Sequence, residues 1–297
     1  VDPGRRAHYG AFYGMTHHQP VAIVWGNCQA ESMRVLLAGS PSLPLPTVRV
    51  PPVHEMVRED LTSLAALLPH VALLVTQPVR PGYRGLPIGT DEVVASLPPG
   101  ARVVRWPVFR YVGLQPYAAI VRHPVDPAID PPVVPYHDLR TLARAAGRPQ
   151  GPPAGAAALR AVAHASLSEL RRREGGTDVS VSDIVNSAGA RAAHTLNHPG
   201  NPVLIALARR VQTFLGLPSD AEDPGRELLG GIQSPLEPGV VAALGLDIAP
   251  RPAWTVHGRI VEPGEIEDAQ RRWYADNPGV VEGGMRRHAD RIAVLGL

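Results

Sequence analysis

The sequence predicts an α/β fold, a parallel sheet with flanking helices, plus a mostly helical C-terminal region. Three observations carry this. From Pro20 to about Val125, short apolar runs alternate with helix-period segments, the pattern of a parallel sheet covered on both faces. One of these runs, Val71 to Val75, is apolar throughout, as a strand buried on both faces should be. Beyond a Pro/Gly cluster from Gly147 to Gly155 the strand signals stop and helical periodicity takes over.

Residues 1–19 are polar, with glycines and the pair His17-His18, and read as an irregular N-terminal arm. That histidine pair could ligate a metal, but a polar arm is the favoured reading. The α/β domain is expected over residues 20–146. Val21 to Trp25 is its first strand, and a helix-compatible run from Ala30 to Ala38 follows. Thr47 to Val50 is a short second strand. Val57 to Leu68 has apolar residues near helical spacing, and Asp91 to Leu97 is a further helix before a fourth strand at Arg102 to Arg105. Five prolines between Pro124 and Pro135 mark a crossing or linker, followed by a short helix around Asp138 to Ala146. Residues 147–297 form the mainly helical region expected to complete the site. Its helices are Ala156 to Glu174, Val179 to Ala190, Pro202 to Leu215 and Gly264 to Tyr274, with Asn201 as the cap of the third. The tail from Val280 has no clear period.

Composition excludes several function classes. The chain has 297 residues, 44% of them hydrophobic, enough to bury a sizeable core. All 29 basic residues are arginine, so no lysine is present for a pyridoxal phosphate Schiff base or a Walker-type phosphate loop. The net charge of +2 and the lack of a basic stripe with interleaved aromatics argue against nucleic acid; Arg171-Arg172-Arg173 reads as an exposed helix face. No apolar run is long enough for a membrane span or a leader. A cytoplasmic location is the expectation.

The single cysteine, Cys28, sits in the turn Gly26-Asn27-Cys28-Gln29 after the first strand. A lone cysteine is often just a small buried hydrophobe. Here strand, tight turn and helix place it at the carboxyl edge of the sheet and at a helix N-terminus, which favours anions and lowers a thiol pKa. A partly ionised nucleophile is therefore expected. Asn27, Gln29, Gln77 and the first backbone N–H groups of the helix are candidate donors to an oxyanion. The loop after the third strand, Thr76 to Gly85, should line the same crevice; its Arg80 and Arg84, among glycines beside Tyr83, suit phosphate groups. The base must come from twelve histidines. His194 and His198 stand out, and Pro199 pushes His198 into extended geometry, from which an imidazole can enter a cleft. A His-x-x-x-His metal pair on one helix face is disfavoured by the same proline, and no metal is expected.

Taken together, Gly26-Asn27-Cys28-Gln29, Thr76-Gln77-Pro78, Gly82-Tyr83-Arg84-Gly85, Pro87-Ile88-Gly89-Thr90 and Asn197-His198-Pro199 resemble the WcbI family over about residues 20–215. Leu196 departs from the pattern, standing where an aromatic residue is expected. The turn also resembles the Gly-Asp-Ser-Leu block of SGNH-type esterases, with no Asp-x-x-His near the C-terminus to complete it; the α/β half is accordingly expected to be SGNH- or flavodoxin-like. The WcbI resemblance implies coenzyme A or an acyl-CoA as co-substrate, with Cys28 as nucleophile and His198 as base. It makes Arg80, Tyr83 and Arg84 candidates for the coenzyme, and Asn27, Gln29, Gln77 and Asn197 orienting residues. The expected activity is acyl transfer from a coenzyme A or carrier-protein thioester to a sugar or small-metabolite hydroxyl or amine. A thioesterase or amide-forming enzyme on a carrier-bound intermediate is the alternative within this chemistry, and a non-catalytic binder of a nucleotide-like ligand the alternative outside it. An acyl carrier protein is a candidate partner.

Overall fold

The computed structural model describes residues 2–14 and 19–297; His17-His18 lie outside the described residues. Contacts divide the chain into two compact units that interleave in sequence, with no single boundary near residue 146. The first comprises Val1–Phe109, Leu170–Ala188 and Gly200–Leu229, and the second Arg110–Glu169, Gly189–Pro199 and Gly230–Leu297.

The first unit begins with two short helices, α1 (Pro3–His8) and α2 (Gly10–Gly14), where an irregular arm was expected. Asp2 caps α1 through its carboxylate. The reason for their order is a buried charge. The Asp60 carboxylate is fully buried and accepts from Arg5 Nη2 at 2.7 Å, Tyr13 Oη at 2.5 Å and the Val57 N–H at 3.0 Å. A buried carboxylate is tolerated only with such partners, and they anchor the arm. The bond to Val57 also forms a turn, so the helix expected from Val57 starts three residues later.

Four parallel strands form the sheet: β1 (Val21–Trp25), β2 (Thr47–Val48), β3 (Val71–Thr76) and β4 (Arg102–Arg105), in the order β2-β1-β3-β4. Trp25, the last residue of β1, pairs with Thr76, the last of β3, so the two strands end level. Every residue of β1 is buried, as a central parallel strand with both faces covered requires. Trp25, Ile23 and Leu74 anchor a core closed by Met56, Leu67 and Ile88. The helices α3 (Cys28–Ala38), α4 (Asp60–Leu67) and α5 (Thr90–Val94) connect the strands. β2 is two residues long, shorter than expected. The helix Asn201–Phe214 has Gly200, not Asn201, as its cap. The buried Asn201 amide instead accepts from the Leu228 N–H at 3.0 Å and donates to the Arg226 carbonyl at 2.9 Å, tying down a loop.

The second unit is helical, as expected, with Leu139–Ala145, Pro238–Leu244, Pro263–Asp276, Pro278–Arg287, Ala289–Leu295 and most of Ala156–Glu174. It also holds a three-stranded antiparallel sheet with Trp254–Val256 between Ile232–Gln233 and Arg259–Val261. The Trp254 hairpin turns at His257-Gly258, both at positive φ (48° and 82°), the geometry of a type I′ turn. Its core gathers Val134, Tyr136, Leu196, Val261 and Ile266. Among the described residues no helix is long and apolar enough to cross a membrane.

Candidate active site

In the strand order β2-β1-β3 the chain changes its direction of travel between β1 and β3, and ligands of open α/β sheets bind outside the carboxyl ends at such a point. The turn Gly26 to Gln29 follows β1, and the loop from Gln77 follows β3, so both lie there. Each residue of the turn has a distinct task. Asn27 is the cap of α3, its side-chain Oδ1 accepting from the Gln29 N–H at 2.9 Å. Cys28 is the first helical residue. Gly26 makes room for Gln77: a Cβ built on it would sit 2.9 Å from Gln77 Cδ. Gln77 has no freedom to retreat, because its Oε1 accepts from the Asn27 N–H at 2.9 Å and its Nε2 donates to Gln29 Oε1 at 3.0 Å. Gly26→Ala is therefore expected to destabilise the protein by about 1–3 kcal/mol, as overpacking does. Urea unfolding checks this; a change under about 0.5 kcal/mol would contradict it.

Gln29 and Gln77 do not stand as the oxyanion donors expected from their position. Both are buried. Gln29 donates from Nε2 to the Phe109 carbonyl at 2.8 Å and accepts at Oε1 from the Phe109 N–H at 3.0 Å, a two-point bond that imitates a strand pairing. Together the two glutamines tie the loop after β4, the turn after β1 and the end of β3 into one rigid base under Cys28. Buried polar groups are found bonded in this way because leaving them unpaired is costly. The capping geometry uses Asn27 Oδ1 and leaves its Nδ2 as a side-chain donor at the turn.

The Cys28 thiol also departs from expectation. It forms no disulfide and is partly buried. Its pKa is pushed up to about 11, first by desolvation and further by the Glu55 carboxylate. The backbone N–H groups of Cys28 and Gln29 act the other way and stabilise the anion, so the helix N-terminus does contribute, but burial wins. Glu55 reaches this turn because the Val53 N–H donates to the Gly26 carbonyl at 2.9 Å. No local pattern in the sequence marks that contact.

The loop after β3 is held in a fixed shape. Thr90 Oγ1 accepts from the Val79 N–H at 2.9 Å and donates to the Gln77 carbonyl at 2.8 Å. The Glu92 carboxylate accepts from the N–H groups of Gly82 at 3.1 Å and Gly89 at 2.7 Å. Arg80 and Arg84 are exposed, and neither forms a salt bridge among the described residues. Arg80 lies over the Tyr83 ring at 5.9 Å. The glutamate that shapes this loop was legible in principle, three residues after Gly89 at a helix start.

Asn197 and His198 belong to the second unit. Their hairpin, Ala193–Thr195 with His198–Pro199, confirms extended geometry for His198 and puts neither histidine of His194-x-x-x-His198 on a helix. Asn197 Oδ1 accepts from Tyr136 Oη at 2.9 Å, and that hydroxyl also meets Thr195 Oγ1 at 2.9 Å. The Tyr136 ring stands edge-on to the His198 imidazole at 6.4 Å. Tyr136, distant in sequence, thereby fixes the hairpin tip. Leu196 takes the buried position of that tip in the core, so an apolar side chain serves there. Burial, with His194 adding to it, holds the His198 pKa down to about 4. Among the described residues no cluster of histidine, cysteine, aspartate or glutamate could hold a metal ion.

Residues 21–220 match the profile of a family described as polysaccharide biosynthesis enzyme WcbI. The chain belongs to the WcbI family. Its motifs from Gly26 to His198 all fall within the matched span. A solved structure of WcbI, described as a novel polysaccharide biosynthesis enzyme, shares the fold with a TM-score of 0.78 at 21% identity. The match covers 93% of this chain and 97% of that one. That structure is described as the native protein without a disulfide bond between coenzyme A and one of its cysteines. No curated protein matches the chain.

Proposed function

We propose that this member of the WcbI family is an acyltransferase that uses Cys28 as its nucleophile. The observation that carries the proposal is the position of Cys28. It is the first residue of α3 at the β1/β3 switch point, at a helix N-terminus whose backbone N–H groups favour its anion. The donor is a thioester of coenzyme A or of a carrier protein, and the acceptor a hydroxyl or amine of a sugar or small metabolite. A WcbI structure described with coenzyme A and a cysteine supports the coenzyme. The chain's own residues suit it: Arg80 and Arg84 are exposed, without salt bridges among the described residues, on a loop braced by Glu92 at the same sheet edge.

In the proposed reaction His198, neutral near pH 7 because its pKa is held to about 4, takes the proton of the Cys28 thiol as the sulfur attacks the thioester carbonyl. The carbon–sulfur bond of the donor breaks, and its thiolate leaves with the proton from His198. The acyl group is then a thioester on Cys28, close in energy to the donor, which favours transfer over ester hydrolysis. His198 next takes the proton of the acceptor, whose oxygen or nitrogen attacks the acyl carbon and returns the Cys28 thiol. The Cys28 N–H at the start of α3 and Asn27 Nδ2 hold the oxyanion; Asn197 orients the hairpin.

The test is intact-protein mass spectrometry after incubation with acetyl-CoA in the absence of acceptor. An acetyl adduct that maps to Cys28 and disappears from Cys28→Ser is the expected result. Binding without any adduct would leave a non-catalytic binder instead.

A further inference from the structure

A separate cleft of about 280 Å³ lies wholly within the second unit, lined by Gln115, Tyr136, Arg144, Glu237, Trp254 and Glu267 among others. We infer that this cleft is the binding site for a neutral saccharide. The inference goes beyond the proposed function and stands on the lining of the second unit alone. Its size is at the low end for small-molecule sites, about 300–1,000 Å³. A single sugar ring fits such a space.

The lining decides between ligand classes. Two guanidinium groups and three carboxylates face the cleft, and they neutralise one another. Arg140 Nη2 meets Asp138 Oδ2 at 2.6 Å and Glu237 Oε1 at 2.9 Å, while Arg144 Nη2 meets Glu267 Oε1 at 2.8 Å. An anionic ligand would meet cations already paired and a surplus carboxylate. A purely apolar ligand would strip water from these groups and return no hydrogen bond. A sugar satisfies both demands. Its hydroxyls can donate to the lone pairs the carboxylates keep after pairing, and its C–H face can lie on an aromatic ring. Trp254 supplies such a ring, held in place by stacking on Tyr136 at 5.9 Å and 19°. Gln115 adds a buried acceptor, Oε1, which has no hydrogen-bond partner among the described residues. Tyr136 also joins the cleft to the hairpin: it lines the cavity, and its hydroxyl holds Asn197 beside His198.

The experiment is saturation-transfer NMR on the whole protein with methyl glycosides of glucose, galactose, mannose and N-acetylglucosamine, with ADP as the anionic competitor. The expected result is saturation of ring C–H protons in at least one glycoside, unaffected by ADP. Affinity should fall about tenfold or more in Trp254→Ala and in the near-isosteric Gln115→Leu. Circular dichroism confirms that the variants fold, and Gln115→Leu serves if Trp254→Ala does not. The inference is overturned if no glycoside is saturated, if the folded variants bind like wild type, or if ADP displaces the glycoside. The two readings fail separately. A Cys28 adduct without glycoside binding removes the saccharide site alone, whereas glycoside binding without an adduct removes acyl transfer and leaves the site.

Discussion

Cys28→Ala is expected to lower kcat/KM for acyl transfer from acetyl-CoA by at least about 1,000-fold, since no second thiol exists in the chain to take over. Release of the free coenzyme thiol in the presence of acceptor is the measurement. The variant removes one small, partly buried group from the first turn of α3, and the cap from Asn27 and the braces from Gln29 and Gln77 do not involve it. Its melting temperature should therefore stay close to wild type, which separates loss of chemistry from loss of fold. The raised thiol pKa gives a companion expectation. With the value moved from 9.0 to about 11, the resting protein carries about 100-fold less thiolate near neutral pH than an unperturbed thiol. Alkylation of Cys28 by iodoacetamide at pH 7.5 should be correspondingly slow and accelerate up to high pH. Wild-type turnover by Cys28→Ala would end the covalent mechanism.

His198→Ala is expected to cost about 10²–10⁴-fold in kcat/KM, the usual range for a positioned general base, and to change the shape of the pH profile. The sign follows from the two shifts. His198 is held down to about 4, so it is an unprotonated base above about pH 5 and loses that role only as pH falls through 4. Cys28 is held up near 11, so it stays a neutral thiol until strongly alkaline pH. Between these limits the wild-type rate should be flat, unlike the bell of a preformed thiolate–imidazolium pair. Without the base, only the ionised fraction of the thiol reacts, and the rate should climb about tenfold per pH unit. A variant with wild-type rate and a flat profile would exclude His198; a matching loss in His194→Ala would assign the role to His194.

These expectations combine local and distant information, and the division between them is physical. Val21 to Trp25, the apolar run Val71 to Val75 and the helix Ala156–Glu174 were legible because period and length are properties of contiguous residues. The short strands around Trp254 were not, since three-residue strands owe their existence to cross-strand partners, and His257-Gly258 is a weak turn signal beside Asn-Gly. The order of the arm has a similar origin: it comes from Asp60, far along the chain.

The candidate site divides along the same line. By itself the sequence determined that Cys28 follows a strand, lies close to a helix N-terminus, and so stands at the carboxyl edge of a parallel sheet, because strand–turn–helix junctions are local. Only the tertiary structure decided its ionisation and its neighbours' roles. Burial and Glu55 outweigh the helix N-terminus in setting the thiol pKa. Gln29 and Gln77 brace Phe109 and Asn27 instead of facing an oxyanion. Desolvation and side-chain pairing depend on which residues the fold packs together, and that is settled by contacts many residues apart.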